Sequence, residues 1–285
     1  YTPQLAINLA VVFGVSMLAQ GVIFGAVWLI LRRRFDDPAQ SAALIAEGYI
    51  GGNSYTSEPA LTAEIDRCVK GRANRAVVLA SAFGNVGFFG VPVLQFLFPD
   101  AHDAIAYSAV FIVSLNLMSW TVGSYVLTGD KKHVSLKRAL VNPQTVTLVI
   151  SLPLFFAGVS ESDLPETVNT IIGYLADMTA PLCMIILGMR FALAPLVQLF
   201  KDYRVYIASF VKILVFPLMV YLVLMPFEMD EMLRVSLVLL SGMPAATINL
   251  NLAELYGADQ TTAANSILMS TVLSIITIPV LMLLF

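Results

Sequence analysis

The chain has 285 residues, of which 58% are hydrophobic and only 12% are charged, and its mean hydropathy is +0.83. A soluble domain carries about twice that charged fraction, so the composition excludes an ordinary soluble protein and makes the lipid bilayer the expected surroundings. The net charge of −3 is uninformative for a membrane protein, and no basic patch suggests a nucleic-acid partner.

Long apolar runs divide the chain into eight predicted membrane-spanning helices. The stretch 5–31 has no charged side chain, and neither has 76–99. About 20 such residues are enough to cross the hydrocarbon core as a helix, so the predicted fold class is an all-α polytopic membrane protein. The approximate cores of the eight helices are 5–31, 76–98, 104–127, 140–157, 167–189, 204–225, 232–254 and 261–285.

A polar stretch, residues 36–74, lies between the first two predicted helices. The sequence predicts a long loop there, with a short helix over 59–69. Loops of this length are usually functional or disordered. A regulatory or docking segment and a plain connector both remain open.

The basic residues predict the orientation of the helices. Cytoplasmic loops carry an excess of Lys and Arg. Placing the N-terminus outside puts 14 of the 16 basic residues in inward loops, while Arg234 faces outward and Lys212 lies within a helix. Both ends of the chain are then expected outside the cytoplasm. The inward residues are Arg32, Arg33, Arg34, Arg67, Lys70, Arg72, Arg75, Lys131, Lys132, Lys137, Arg138, Arg190, Lys201 and Arg204.

The second and seventh predicted helices carry helix-breaking residues near their centres. Residues 84–92 read Gly-Asn-Val-Gly-Phe-Phe-Gly-Val-Pro, and residues 241–251 read Ser-Gly-Met-Pro-Ala-Ala-Thr-Ile-Asn-Leu-Asn. Proline removes a backbone donor and glycine tolerates unwound backbone, so each helix is predicted to break, with Pro92 or Pro244 opening its second half. A simple proline kink is the plainer interpretation of either helix alone.

The two breaks together favour an inverted-repeat transporter fold with two crossed broken helices, because they fall in helices that cross the membrane in opposite directions. Residues 1–127 would form a first repeat of three helices, 128–138 a cytoplasmic linker, and 139–285 a second repeat of five helices. This imbalance predicts that two helices of the first repeat are missing before Tyr1.

The crossing point is predicted to bind a small organic anion, since half-helix N-termini carry partial positive charge. Lys212 is a candidate countercharge, and Asp177 a candidate partner for Lys212 or carrier of a coupling proton, because charges near mid-membrane are costly and usually paired or functional. A structural ion pair is the plainer interpretation of both. The predicted substrate-binding residues are Asn85, Val91, Pro92, Asn116, Lys212, Pro244, Thr247, Asn249 and Asn251.

The sequence offers no catalytic, metal or cofactor site. Cys68 and Cys183 lack paired spacing, and His102 and His133 are the only histidines, so no zinc pattern arises. The motifs of intramembrane proteases, serine hydrolases and Walker-type ATPases are absent. A secondary transporter is predicted rather than an enzyme, with a membrane receptor or sensor on a transporter-like fold as the alternative.

Two motifs carry a resemblance to a known family. Asn85-Val-Gly-Phe-Phe-Gly-Val-Pro92 resembles the Asn-x-Gly-Phe-x-Gly-x-Pro signature of the auxin efflux carrier family. Met243-Pro-Ala-Ala-Thr-Ile-Asn249, followed by 255–259, resembles its second crossover, and 270–279 its last helix.

The resemblance implies ten helices in a five-plus-five inverted repeat. One bundle would serve as a scaffold that forms a homodimer, and the bundle with the crossed helices would move like an elevator. Bacterial members of the family are often described as transporters of malonate or related acids. The protein is therefore expected to move a mono- or dicarboxylate across a bacterial inner membrane.

Overall fold

The computed structural model describes residues 3–50, 52, 54, 56–141, 143–157, 163–192 and 202–285. Tyr1 and Lys201, which entered the predictions above, lie outside these residues. Within the described part, the chain is built from helices, and a single antiparallel bridge between Gly84 and Ala245 is its only strand-like pairing. The predicted all-α fold class is confirmed.

The helical elements follow the apolar runs and their interruptions. In chain order, the helices of the described residues are α1 Pro3–Leu31, α2 Pro38–Ala46, α3 Pro59–Ala82, α4 Val91–Leu97, α5 His102–Met118, α6 Ser124–Thr128, α7 Leu136–Leu140, α8 Pro143–Phe156, α9 Glu166–Ala192, α10 Tyr203–Phe210, α11 Phe216–Leu224, α12 Glu231–Ser241, α13 Ile248–Tyr256 and α14 Gln260–Met282. π-helical turns at Val86–Gly90, Ser119–Gly123 and Val211–Val215 lead into α4, α6 and α11.

Four helical stretches of the described part are long and apolar enough to cross a membrane, and they match the first, third, sixth and eighth predicted helices. The second and seventh are interrupted at 83–85 and 242–247, so neither forms one long apolar helix. Segments 140–157 and 167–189 are helical as α8 and α9, and the count of eight spans stays a prediction. The four long stretches are Gln4–Arg34, His102–Thr128, Tyr203–Leu224 and Gln260–Met282.

The prediction of a long loop over 36–74 is wrong. α2 occupies part of it, and α3 begins at Pro59 and runs without interruption to Ala82. Proline is well tolerated in the first helical turn, where its missing N–H has no partner to lose. The short helix predicted over 59–69 is present as the first part of α3. Lys70, which follows it, was assigned to the loop, but it lies on the exposed side of α3.

Polar contacts join α1 to α5 inside an otherwise apolar interface. Ser16 Oγ donates to Ser114 Oγ at 2.6 Å, and Gln20 Nε2 donates to the same oxygen at 3.1 Å. Asn8 Nδ2 donates to Tyr107 Oη at 3.0 Å. Hydrogen bonds of this kind fix which faces of two membrane helices meet.

A buried ion pair ties the segment after α1 to α3. Arg75 Nε lies 2.8 Å from Asp36 Oδ1, and the two side chains are 7% and 1% exposed. Arg75 also donates to the carbonyl of Val126 and stacks over the ring of Phe35. A Cβ at Gly71 would lie 2.3 Å from the backbone nitrogen of Asp36, so glycine is required for this close approach.

We expect Arg75→Gln to destabilise the protein by about 3–5 kcal/mol, because removing the guanidinium leaves the Asp36 carboxylate buried without an ion-pair partner. The measurement is thermal unfolding of the purified protein in detergent. Lys70→Gln is the matched control on the same helix, since the Lys70–Asp66 pair is exposed on both sides and exposed pairs contribute little. Equal shifts of the melting temperature in the two variants would contradict the assignment.

Candidate functional site

The two interrupted helices meet where their backbones are extended. Asn85 N donates to the carbonyl of Pro244 at 2.6 Å, and Ala246 N donates to the carbonyl of Phe83 at 2.8 Å. These bonds form the Gly84–Ala245 bridge. Backbone groups at membrane depth need internal partners, and here each break supplies partners for the other.

Side chains satisfy further backbone groups of this crossover. Asn249 Nδ2 donates to the carbonyl of Phe83 at 3.3 Å, and Ala245 N donates to Ser270 Oγ at 2.9 Å. Asn85 Oδ1 accepts from Phe88 N at 3.3 Å, which caps the start of the helical turn that leads into α4. The asparagines of both motifs are therefore part of the structure of the breaks.

The sequence predicted that Pro92 and Pro244 are the first residues of the second half-helices. In the structure both prolines lie near the breaks, but neither is the first residue of its half-helix. Pro92 is in the first turn of α4, after the π-helical turn Val86–Gly90. Pro244 lies inside the extended segment, before α13 begins at Ile248. The missing N–H of Pro92 cannot bond the preceding turn, and the wider turn lies just before it.

Lys212 lies against the crossover and is fully buried. Its Nζ donates to the carbonyl of Ser241, the last residue of α12, and lies 4.3 Å from the centroid of the Phe216 ring. A Cβ at Gly84 would lie 2.8 Å from Lys212 Cε. Cations are stabilised at helix C-termini, so Lys212 complements the end of the first half of the seventh predicted helix.

A cavity of about 360 Å³ opens beside the crossover. The residues at both half-helix N-termini line it: Asn85 and Val86 on one side, Thr247 and Ile248 on the other. Asn85 is 3% exposed, and its Nδ2 has no hydrogen-bond partner among the described residues. The cavity therefore combines two partly positive helix ends with an unused amide donor.

The structure brings four of the predicted site residues into this cavity: Asn85, Asn116, Thr247 and Asn251. The others do not line it. Val91 and Pro92 come later in the half-helix, and Pro244, Asn249 and Lys212 support the crossover itself. Asp177 is exposed on α9.

One face of the helical stretch through α5 completes the cavity with apolar groups that the sequence analysis did not single out. Ile112 and Trp120 line it together with Asn116. Successive members of this set are four residues apart, which places all three on one side of a helix. That spacing around Asn116 was the available sequence signal.

Crossed half-helices with their N-termini at one cavity, in an all-α multi-pass membrane protein, are characteristic of transporters. The family model described as "Membrane transport protein" matches residues 68–282, which is more than half of the chain. The chain belongs to this family, the auxin efflux carrier family.

Two relatives are similar over most of the chain. An uncharacterized transporter of Methanocaldococcus jannaschii is 28% identical over 204 residues, covering 71% of this chain and 65% of the relative. A protein of Rhizobium meliloti named "Putative malonate transporter" is 28% identical over 206 residues, covering 70% of this chain and 63% of the relative. The match thus spans less than two thirds of the length of either relative.

We expect Gly84→Ala to lower the melting temperature, because the new methyl group overlaps Lys212 and overpacking costs about 1–3 kcal/mol. Gly14→Ala in α1 is the control, since no atom lies within 4 Å of its added Cβ. In a Lys212→Ala background the penalty of Gly84→Ala should largely disappear. An equal penalty with and without Lys212 would show that the close approach is not the cause.

Proposed function

We propose that this protein is a secondary transporter that binds a small organic anion in the crossover cavity. The observation that carries the proposal is the convergence of two half-helix N-termini and Asn85, whose Nδ2 has no partner among the described residues, on one cavity. Helix N-termini attract carboxylates through free N–H groups and partial positive charge. The volume is within the range of small-molecule sites.

The charge balance of the cavity favours a substrate with one negative charge. Among the described residues that line it, none carries a formal charge. Two half-helix ends contribute about half an elementary charge each, which together match a single carboxylate. We therefore propose a monocarboxylate, or a dicarboxylate in its singly ionised form, as the transported species. The name of the Rhizobium meliloti relative supports the same class of substrate.

The crossover is suited to move as one unit, as an elevator mechanism requires. Its backbone hydrogen bonds run between the two broken helices. Lys212, in the π-helical turn that leads into α11, and Ser270, in α14, tie these neighbouring elements to them. Moving this unit against the remaining helices would carry the cavity without breaking these contacts. We propose such a motion in a homodimer in a bacterial inner membrane, with Asp177 retained as a candidate proton carrier.

Uptake of radiolabelled malonate and a set of mono- and dicarboxylates into proteoliposomes, with and without a pH gradient, tests the proposal. Saturable uptake that protein-free liposomes lack is expected. Binding without any flux for all acids tested would favour a receptor instead.

Asn85→Asp should weaken malonate binding by about one to two decades or more. The change keeps an oxygen to accept from Phe88 N but replaces the free donor with a negative charge, and losing a charge-assisted hydrogen bond costs about 1.5–3 kcal/mol. Asn169→Asp on α9 makes the same chemical change outside the cavity lining and should leave the affinity unchanged. If both variants bind malonate like the parent protein, the cavity is not the anion site.

Lys212→Met should reduce uptake of malonate and of its neutral analogue malonamide by similar factors. The reason is that Lys212 contacts the crossover, while the cavity lining does not include it. Melting temperatures of both proteins in the same detergent provide the folding control. A loss confined to malonate would assign Lys212 the role of countercharge that the sequence suggested.

A further inference from the structure

A second cavity, of about 500 Å³, lies between the end of α1, the middle of α3 and the start of α10. Five of its lining residues are basic, and they come from three separate segments of the chain. No acidic residue of the described part lines it. The lining residues that matter here are Arg33, Arg34, Arg67, Lys70, Tyr203 and Arg204.

Most of this positive charge is not neutralised within the described residues. Lys70 pairs with Asp66, and Arg204 lies 3.7 Å from Asp202. Arg33, Arg34 and Arg67 form no ion pair with a described carboxylate, and Arg204 Nε is buried without a hydrogen-bond partner there. The cavity thus has unused guanidinium donors, which match the geometry of a phosphate group.

The cavity lies at the level where two spans reach the membrane surface. The span Gln4–Arg34 ends at it, and the span Tyr203–Leu224 begins at it. Just inside this level, Ile30 on α1 and Ile207 on α10 are exposed apolar residues. Tyr203 is exposed beside them, and tyrosine is enriched at membrane–water interfaces.

We propose that this cavity binds the phosphate headgroup of an anionic phospholipid whose acyl chains lie along the exposed apolar sides of α1 and α10. Basic residues on a cytoplasmic surface follow from topology alone. Topology does not, however, require residues from three segments to converge on one cavity that adjoins apolar, lipid-facing helix sides. Basic cavities between membrane helices bind anionic headgroups in this way. The proposal goes beyond transport and does not depend on which substrate the crossover cavity takes.

The test is a titration of the detergent-purified protein with short-chain phosphatidylglycerol, short-chain phosphatidylcholine and inorganic phosphate, followed by native mass spectrometry. Phosphatidylglycerol should bind, with phosphatidylcholine and inorganic phosphate much weaker. Arg33→Gln combined with Arg67→Gln should weaken phosphatidylglycerol binding about 30-fold, since each basic residue near a headgroup contributes a factor of roughly five.

Arg32→Gln combined with Lys132→Gln is the matched control. It removes two positive charges, but Arg32 stacks over Trp28 and neither residue lines the cavity. Its affinity for phosphatidylglycerol should stay within about twofold of the parent.

Equal weakening in both variants, or equal binding of the two lipids, would overturn the proposal. Inorganic phosphate binding as tightly as the lipid would overturn the lipid assignment and leave a phosphate site. Unchanged elution on size exclusion and an unchanged melting temperature show that the variants are folded.

Discussion

The backbone of a membrane protein must find its hydrogen-bond partners inside the protein, and this requirement shapes the whole site. A helix broken at membrane depth exposes carbonyl and N–H groups that a continuous helix would satisfy. In this chain the two breaks lie against each other and pair, from Asn85 N to the carbonyl of Pro244 and from Ala246 N to the carbonyl of Phe83. Glycine at position 84 allows Lys212 to approach. Ser270 Oγ accepts from Ala245 N, and Asn249 Nδ2 gives the carbonyl of Phe83 a second hydrogen bond. The cavity is lined by residues at the two breaks, so it depends on the helices being interrupted there.

The crossover also places the C-terminal and N-terminal ends of the half-helices in different surroundings. Every broken helix has one half ending in partly negative carbonyls and another beginning in partly positive N–H groups. At the C-terminal ends, the carbonyl of Phe83 accepts from Ala246 N and Asn249 Nδ2, and the carbonyl of Ser241 accepts from Lys212. The negative ends are thus compensated within the protein. The N-terminal ends at Val86 and Ile248 line the cavity, so the anion site that we propose there needs no formal charge in its described lining.

Local sequence chemistry predicted the existence of the breaks better than their geometry. The glycines and prolines of 84–92 and 241–251 marked two interrupted helices, because their effects act within a turn of the residue itself. Which carbonyl each free N–H would find depends on contacts more than 150 residues away, and no local rule gives these. Lys212 shows the same limit, since a lone lysine in an apolar run fits a substrate countercharge and a helix-end partner equally well. The continuation of α3 beyond the short helix predicted over 59–69 was missed for a different reason, because charged residues such as Lys70 on the exposed side of a helix resemble a loop when only hydropathy is followed.

The long reach of the crossover bonds has a consequence for how the chain is made. Asn249 follows Phe83 by 166 residues, and translation adds about 5–20 residues per second, so roughly 8 to 33 seconds separate the synthesis of the two partners. Throughout that interval the open end of α3 has no partner from the second broken helix. The first part of the chain therefore cannot reach its final structure while it is being inserted on its own. Insertion machinery, water or a provisional contact must hold the unfinished break until the end of the chain arrives, and the two parts complete their folding together.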